Sequence, residues 1–139
     1  MLRLSKKVDY AIILLSHLGE ASGPISAQEM SSHYHLPQPM IANILKQLAA
    51  SQLVESTRGV QGGYVLQRQT DQISLAEIVR VIDGPFNFVE CAHEASECRV
   101  SATCPTQTPL QALHGRLYEF MESVTLENLI QNHELQPVW

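Results

Sequence analysis

The chain has 139 residues, 45% of them hydrophobic and 17% charged, which suits one globular domain with a real core and room for an appendage. No apolar run approaches the roughly eighteen residues that span a bilayer, and the early "AIILL" lies between Asp9 and His17 with no cleavage site after it. These features exclude a membrane partner and predict a cytoplasmic protein. The net charge of −5 is unevenly spread: residues 1–70 carry +2 and residues 71–139 carry −7. That asymmetry marks the first half as the one able to face nucleic acid.

A first helix is expected from Ser5, which can cap it, to about Gly19, with Val8, Ile12, Leu15 and Leu18 at helical spacing. After "EASGP", Ser26 and Glu29 form a capping box that opens a short helix to about His33. The two prolines of "HLPQP" break that helix, and a second runs from about Pro39 to Ser51 with Ile41, Ile44, Leu45 and Leu48 inward. Two helices about a tight break are the helix-turn-helix pattern. "LVEST" and "YVLQR" then read as strands around "RGVQGG", whose glycines permit a tight loop, so the hairpin is a wing with Arg58 at its tip.

"SLAEIVRVIDGP" predicts a further helix with Ser74 as cap, Glu77 closing a capping box, and Gly84 and Pro85 as stop. A segment without hydrophobic period follows and holds every cysteine of the chain: Cys91, Cys98 and Cys104. Beyond it, Thr108 as cap and Pro109 at the first helical position open a long helix. Its residues Leu110, Leu113, Leu117, Phe120 and Val124 step 3-4-3-4 along one side. An apolar stripe of roughly 24 Å near the end of a small domain predicts a homodimer through those five residues. Thr125 caps a short last helix.

The expected fold is therefore mainly α with a small β-hairpin wing. A winged helix-turn-helix domain spans residues 1–84, a cysteine-rich loop 85–107, and a long C-terminal dimerisation helix with its tail 108–139. In such a domain the second helix of the helix-turn-helix enters the major groove of double-stranded DNA. Gln38, Asn43, Lys46 and Gln47 fall on its outward side; Asn and Gln can pair with adenine, and Lys suits guanine or phosphate. Arg58 can enter a narrow minor groove, and Lys6 and Lys7 are natural phosphate contacts. No HExxH, P-loop or GxSxG is present, so neither an enzyme nor a small-molecule substrate is expected.

Three cysteines without an export signal do not make a disulfide framework. Their C-x6-C-x5-C spacing is wider than the short pairs that zinc prefers, and suits thiolates spread about an iron–sulfur cluster. Zinc and a metal-free thiol switch remain the alternatives. A fourth ligand is required, with Asp9, His93, Glu94, Glu97, Gln107 and His114 as candidates.

The stretches "LSKKVDYAIILLSHL", "STRGVQGGYVL", "ISLAEIVRVIDGP" and "TLENLI", with the three cysteines between them, resemble the winged-helix, iron–sulfur-sensing bacterial regulators of the IscR and NsrR type. The resemblance covers essentially the whole chain, and "ATCP" brings it nearest to the regulators of SUF-system cluster assembly. It implies a homodimeric transcriptional regulator, by expectation a repressor of iron–sulfur assembly genes, with one cluster per subunit on Cys91, Cys98 and Cys104. NsrR-like members take their fourth ligand from an aspartate of the partner's first helix, and Asp9 stands at that position. IscR-like members use a histidine where this chain has Gln107, and their first cysteine gap is one residue shorter. The cluster is thus left as 2Fe–2S or 4Fe–4S. A small iron–sulfur redox protein and a zinc-stabilised interaction module are the competing readings.

Overall fold

The structure, a computed structural model, describes residues 3–92 and 98–131. Helix α1 (Lys6–Glu20) begins where the Ser5 hydroxyl accepts the Val8 N–H at 3.1 Å. It buries Val8, Ala11, Leu14, Leu15 and Leu18, leaving Ile12 on the flank of the stripe. Helix α2 (Ala27–Tyr34) opens on the expected capping box: the Glu29 N–H donates to Ser26 Oγ at 3.1 Å, and the Ser26 N–H donates to Glu29 Oε2 at 2.8 Å. It ends at Tyr34, with His35 and Leu36 between it and Pro37. His35 takes a left-handed conformation (φ 54°), and the Leu36 N–H turns back to the Ser31 carbonyl at 3.2 Å. Tyr34 Oη and His17 Nδ1 share a 2.8 Å hydrogen bond that ties the end of α2 to α1.

Helix α3 (Gln38–Ala50) has Pro37 as N-cap and Pro39 in its first turn, where a missing N–H costs nothing. Ile41, Ile44, Leu45 and Leu48 are fully buried, and α3 lies against α1 and α2. Strands β1 (Val54–Thr57) and β2 (Gly63–Leu66) pair antiparallel, with Val54 opposite Leu66 and Thr57 opposite Gly63. The hairpin is anchored by a bridge to the loop before α2: the Tyr64 N–H donates to the Ile25 carbonyl at 2.8 Å and the Ile25 N–H donates back at 3.1 Å. Gly63 makes this possible, since a Cβ there would lie 2.6 Å from the Ile25 carbonyl oxygen.

Helix α4 (Leu75–Asp83) is capped by Ser74, whose Oγ accepts the Glu77 N–H at 3.1 Å. The expected reciprocal half of that box is not made. The Glu77 carboxylate is taken instead by Arg68, whose Nη1 donates at 2.9 Å while Nη2 reaches the other oxygen. A charge-assisted fork outcompetes a single backbone N–H. Two short 3-10 turns, Glu90–Ala92 and Ser101–Thr103, belong to the cysteine segment.

Helix α5 (Gln107–Ser123) starts earlier than the sequence suggests, with Thr106 as N-cap and Pro109 in the third position. The first intrahelical bond runs from the Leu110 N–H to the Thr106 carbonyl at 3.0 Å, so Pro109 still forfeits no hydrogen bond. Helix α6 (Leu126–Ile130) opens on a Thr125–Asn128 box. The α5–α6 junction returns to the core of the winged-helix unit. There the Leu75 N–H donates to the Val124 carbonyl and the Leu126 N–H to that of Ile73, both at 2.8 Å. Val124 and Leu126 are 2% and 0% exposed. Among the described residues, no helix is long and apolar enough to cross a membrane.

Candidate functional site

Two surfaces carry chemistry. The first is the outer face of α3 with the wing. The core positions Ile41, Ile44, Leu45 and Leu48 orient α3, and the opposite side of the helix presents Gln38, Asn43 and Lys46 to solvent. Gln47, expected beside them, is half-buried, and its Oε1 is shut away from solvent without a partner. Arg58 is exposed at the wing tip, where Gly59 (φ 120°) turns the chain. Val60, between Gly59 and Gln61, is wholly exposed in the same glycine-bounded loop as Arg58, a position that the sequence marks only through those glycines. Lys6 is exposed and Lys7 half-buried in the first turn of α1.

The second surface is the cysteine segment. Cys91, Cys98 and Cys104 are all free and half-buried. Cys91 lies in the Glu90–Ala92 turn, and its carbonyl accepts from Gln111 Nε2 of α5 at 2.6 Å. The same stretch is held to α5 by His114. That ring stacks on Phe86 at 5.4 Å between centroids, and its Nδ1 accepts the Phe88 N–H at 3.4 Å. Cys104 stands just ahead of α5, with Sγ 3.4 Å from Thr106 Oγ1. The Thr106 hydroxyl first, then the backbone N–H groups of Thr106 and Gln107, pull the Cys104 thiol below its ordinary pKa against a smaller opposing effect of desolvation. A free helix N-terminus favours a thiolate in this way. Thr106 and Gln111 were not picked out from sequence, although a threonine two residues after a cysteine at a helix start is a readable cue.

Among the described residues, no three His, Cys, Asp or Glu side chains stand close enough together to hold one metal ion. Asp9 is half-buried in the first turn of α1, and the single chain does not bring it into a ligand group with the cysteines. The candidates His93, Glu94 and Glu97 lie outside the described residues. The donor chemistry nonetheless suits iron: free, partly accessible thiols, one of them biased toward thiolate.

Along α5 no residue is buried; Leu113 is 42% exposed and Leu110, Leu117 and Phe120 are half-buried. Val124, the fifth residue of the expected stripe, is the C-cap of α5 and faces the chain's own core.

Comparison with known proteins agrees with this arrangement. The family model of Rrf2, described as an iron-dependent transcriptional regulator, matches residues 4–132. The HTH-type transcriptional regulator IscR of Sodalis glossinidius is 28% identical over 139 residues, covering 99% of this chain and 84% of that protein. Among solved structures, CymR, the global cysteine regulator of B. subtilis, superposes with a TM-score of 0.75 at 26% identity, over 96% of this chain and 100% of that one. IscR of T. potens does so with a TM-score of 0.73 at 25% identity, over 99% and 93% of the two chains. Matched over nearly its whole length and sharing the winged-helix architecture of those structures, the chain belongs to the Rrf2 family of transcriptional regulators.

Proposed function

We propose that this regulator binds a double-stranded DNA operator as a homodimer and represses iron–sulfur assembly genes according to the state of an iron–sulfur cluster. The DNA-reading part rests on the exposed row Gln38, Asn43 and Lys46, with Arg58 at the wing tip and Lys6, Lys7 and Gln47 as further contacts. Residues 1–84 serve recognition, 85–107 sensing, and 108–139 pairing of subunits through Leu110, Leu113, Leu117 and Phe120. The observation that carries the sensing part is the environment of Cys104, a free thiol held toward thiolate at the start of the helix that also fastens the Cys91 turn.

Cys91, Cys98 and Cys104 would hold the cluster, with Asp9 of the partner subunit's first helix as fourth ligand. A bound cluster supplies a centre labile to oxygen and oxidants. Anaerobic purification with a visible spectrum and iron and sulfide assays tests this. Iron and sulfide with charge-transfer absorption are expected in the native chain, and none after Cys91→Ala, Cys98→Ala or Cys104→Ala. Asp9→Ala is expected to fold normally and to carry a cluster altered or lost sooner in air. An unchanged spectrum and lability in Asp9→Ala would exclude Asp9.

A second reading is a regulator that senses by thiol chemistry alone. The lowered Cys104 thiol favours it equally. Colourless, iron-free anaerobic protein whose DNA affinity changes on thiol oxidation would establish it.

A further inference from the structure

Folded proteins leave few buried side-chain nitrogens or oxygens without a partner, so each one asks for a physical reason. Among the described residues there is one, Oε1 of Gln47. Gln47 lies in α3 four residues beyond Asn43 and next to Lys46, both exposed, while Ile44 and Leu48 on its other side are fully buried. Its half-buried side chain therefore straddles the edge between the core and the outer face of the helix.

A carboxamide has an acceptor end and a donor end. Turning this one over would enclose an NH2 group, which has two donors to satisfy in place of one acceptor, so the oxygen-in orientation asks less of its surroundings. A methionine of nearly the same length would fill the site with no unmet group at all. Stability alone therefore does not account for an amide here, and the account must come from its outer end.

We propose that Gln47 is a donor-only contact of the recognition helix: its oxygen is retained inside the domain and its NH2 group donates to a hydrogen-bond acceptor on the bound duplex. This rests on the DNA-binding reading given above. Glutamine reads adenine by using both amide ends at once, accepting from N6 and donating to N7. With Oε1 enclosed, that double contact is closed to Gln47. What remains is a single acceptor, either a phosphate oxygen or a base-edge atom such as N7 or O6 of guanine or O4 of thymine. Adenine recognition by α3 then falls to Gln38 and Asn43, whose side chains are exposed.

The test uses the full chain and a duplex that it selects from a randomised pool. Gln47→Met is expected to raise the melting temperature, because the unmet acceptor is gone, and to weaken binding to the selected duplex by roughly tenfold. Gln47→Glu, which keeps the shape but has no donor, is expected to lose at least as much affinity without the gain in melting temperature. Duplexes carrying single methylphosphonates, or single base analogues that lack the N7, O6 or O4 acceptor, then locate the acceptor. The modification that abolishes the difference between wild type and Gln47→Met identifies a phosphate in the first case and a base edge in the second. Unchanged affinity in Gln47→Met overturns the contact, and a lowered melting temperature overturns the enclosed-oxygen argument. If wild type selects no duplex, the DNA-binding reading itself fails and this inference falls with it.

Discussion

Cys104 shows how much one neighbouring hydroxyl can decide. Its thiol is held below the ordinary range chiefly by Thr106, so its thiolate persists to lower pH than that of an isolated cysteine. Thr106→Val removes the first cause and moves the thiol back toward its ordinary value. In metal-free protein near neutral pH, alkylation of Cys104 by iodoacetamide is then expected to slow and its pH–rate profile to shift upward. Identical profiles for the two proteins would show that the hydroxyl has no part in activating the thiol. Arg58 offers a contrasting case, because nothing in the fold depends on it. Exposed at a loop tip, it contributes no core. Arg58→Ala is expected to leave the melting temperature unchanged while costing about 1–3 kcal/mol of DNA affinity and reducing its salt dependence. Titrations at two salt concentrations check both quantities.

Among the elements, the wing depends most on the absence of a side chain. A Cβ at Gly63 would meet the backbone of Ile25 and Ser26, neither of which can yield without breaking the Ile25–Tyr64 bridge. Gly63→Ala is expected to cost about 1–3 kcal/mol in denaturant unfolding. Gly23→Ala, with nothing within 4 Å of the added carbon, should stay within about 0.5 kcal/mol. Local signals such as these were readable from sequence: the Ser26–Glu29 box, the buried stripe of α3 and the glycine-bounded hairpin all stand where expected. What escaped depends on partners distant in sequence. Arg68 captures the Glu77 carboxylate from another element, Val124 turns inward because Leu75 and Ile73 meet the chain at its neck, and Gln47 sits at the rim of a core that helical periodicity alone cannot outline. The candidate ligands were legible only as residue types, and the described residues of one chain bring no three of them together.

At the scale of the whole molecule, α5 is, among the described residues, the α-helix with no buried residue, and its Leu113 and Tyr118 stand at 42% and 36% exposure. Its apolar side is the surface proposed for subunit pairing. Leu113→Asp combined with Leu117→Asp is expected to yield folded monomers, because charge in a packed apolar seam is costly. Sedimentation giving the same dimer as wild type would remove α5 from the interface. The way this helix is fastened has a mechanical side. It is riveted to the winged-helix core at its C-terminal end, through Val124, Thr125 and Leu126, while its N-terminal end bears Cys104 and its flank carries the Cys91 turn. This rod of about 25 Å also packs against α4, so a tilt of about 5°, which moves its cysteine end by roughly 2 Å, is handed to α4 and to the Ser74–Thr125 bridge at the junction with the core.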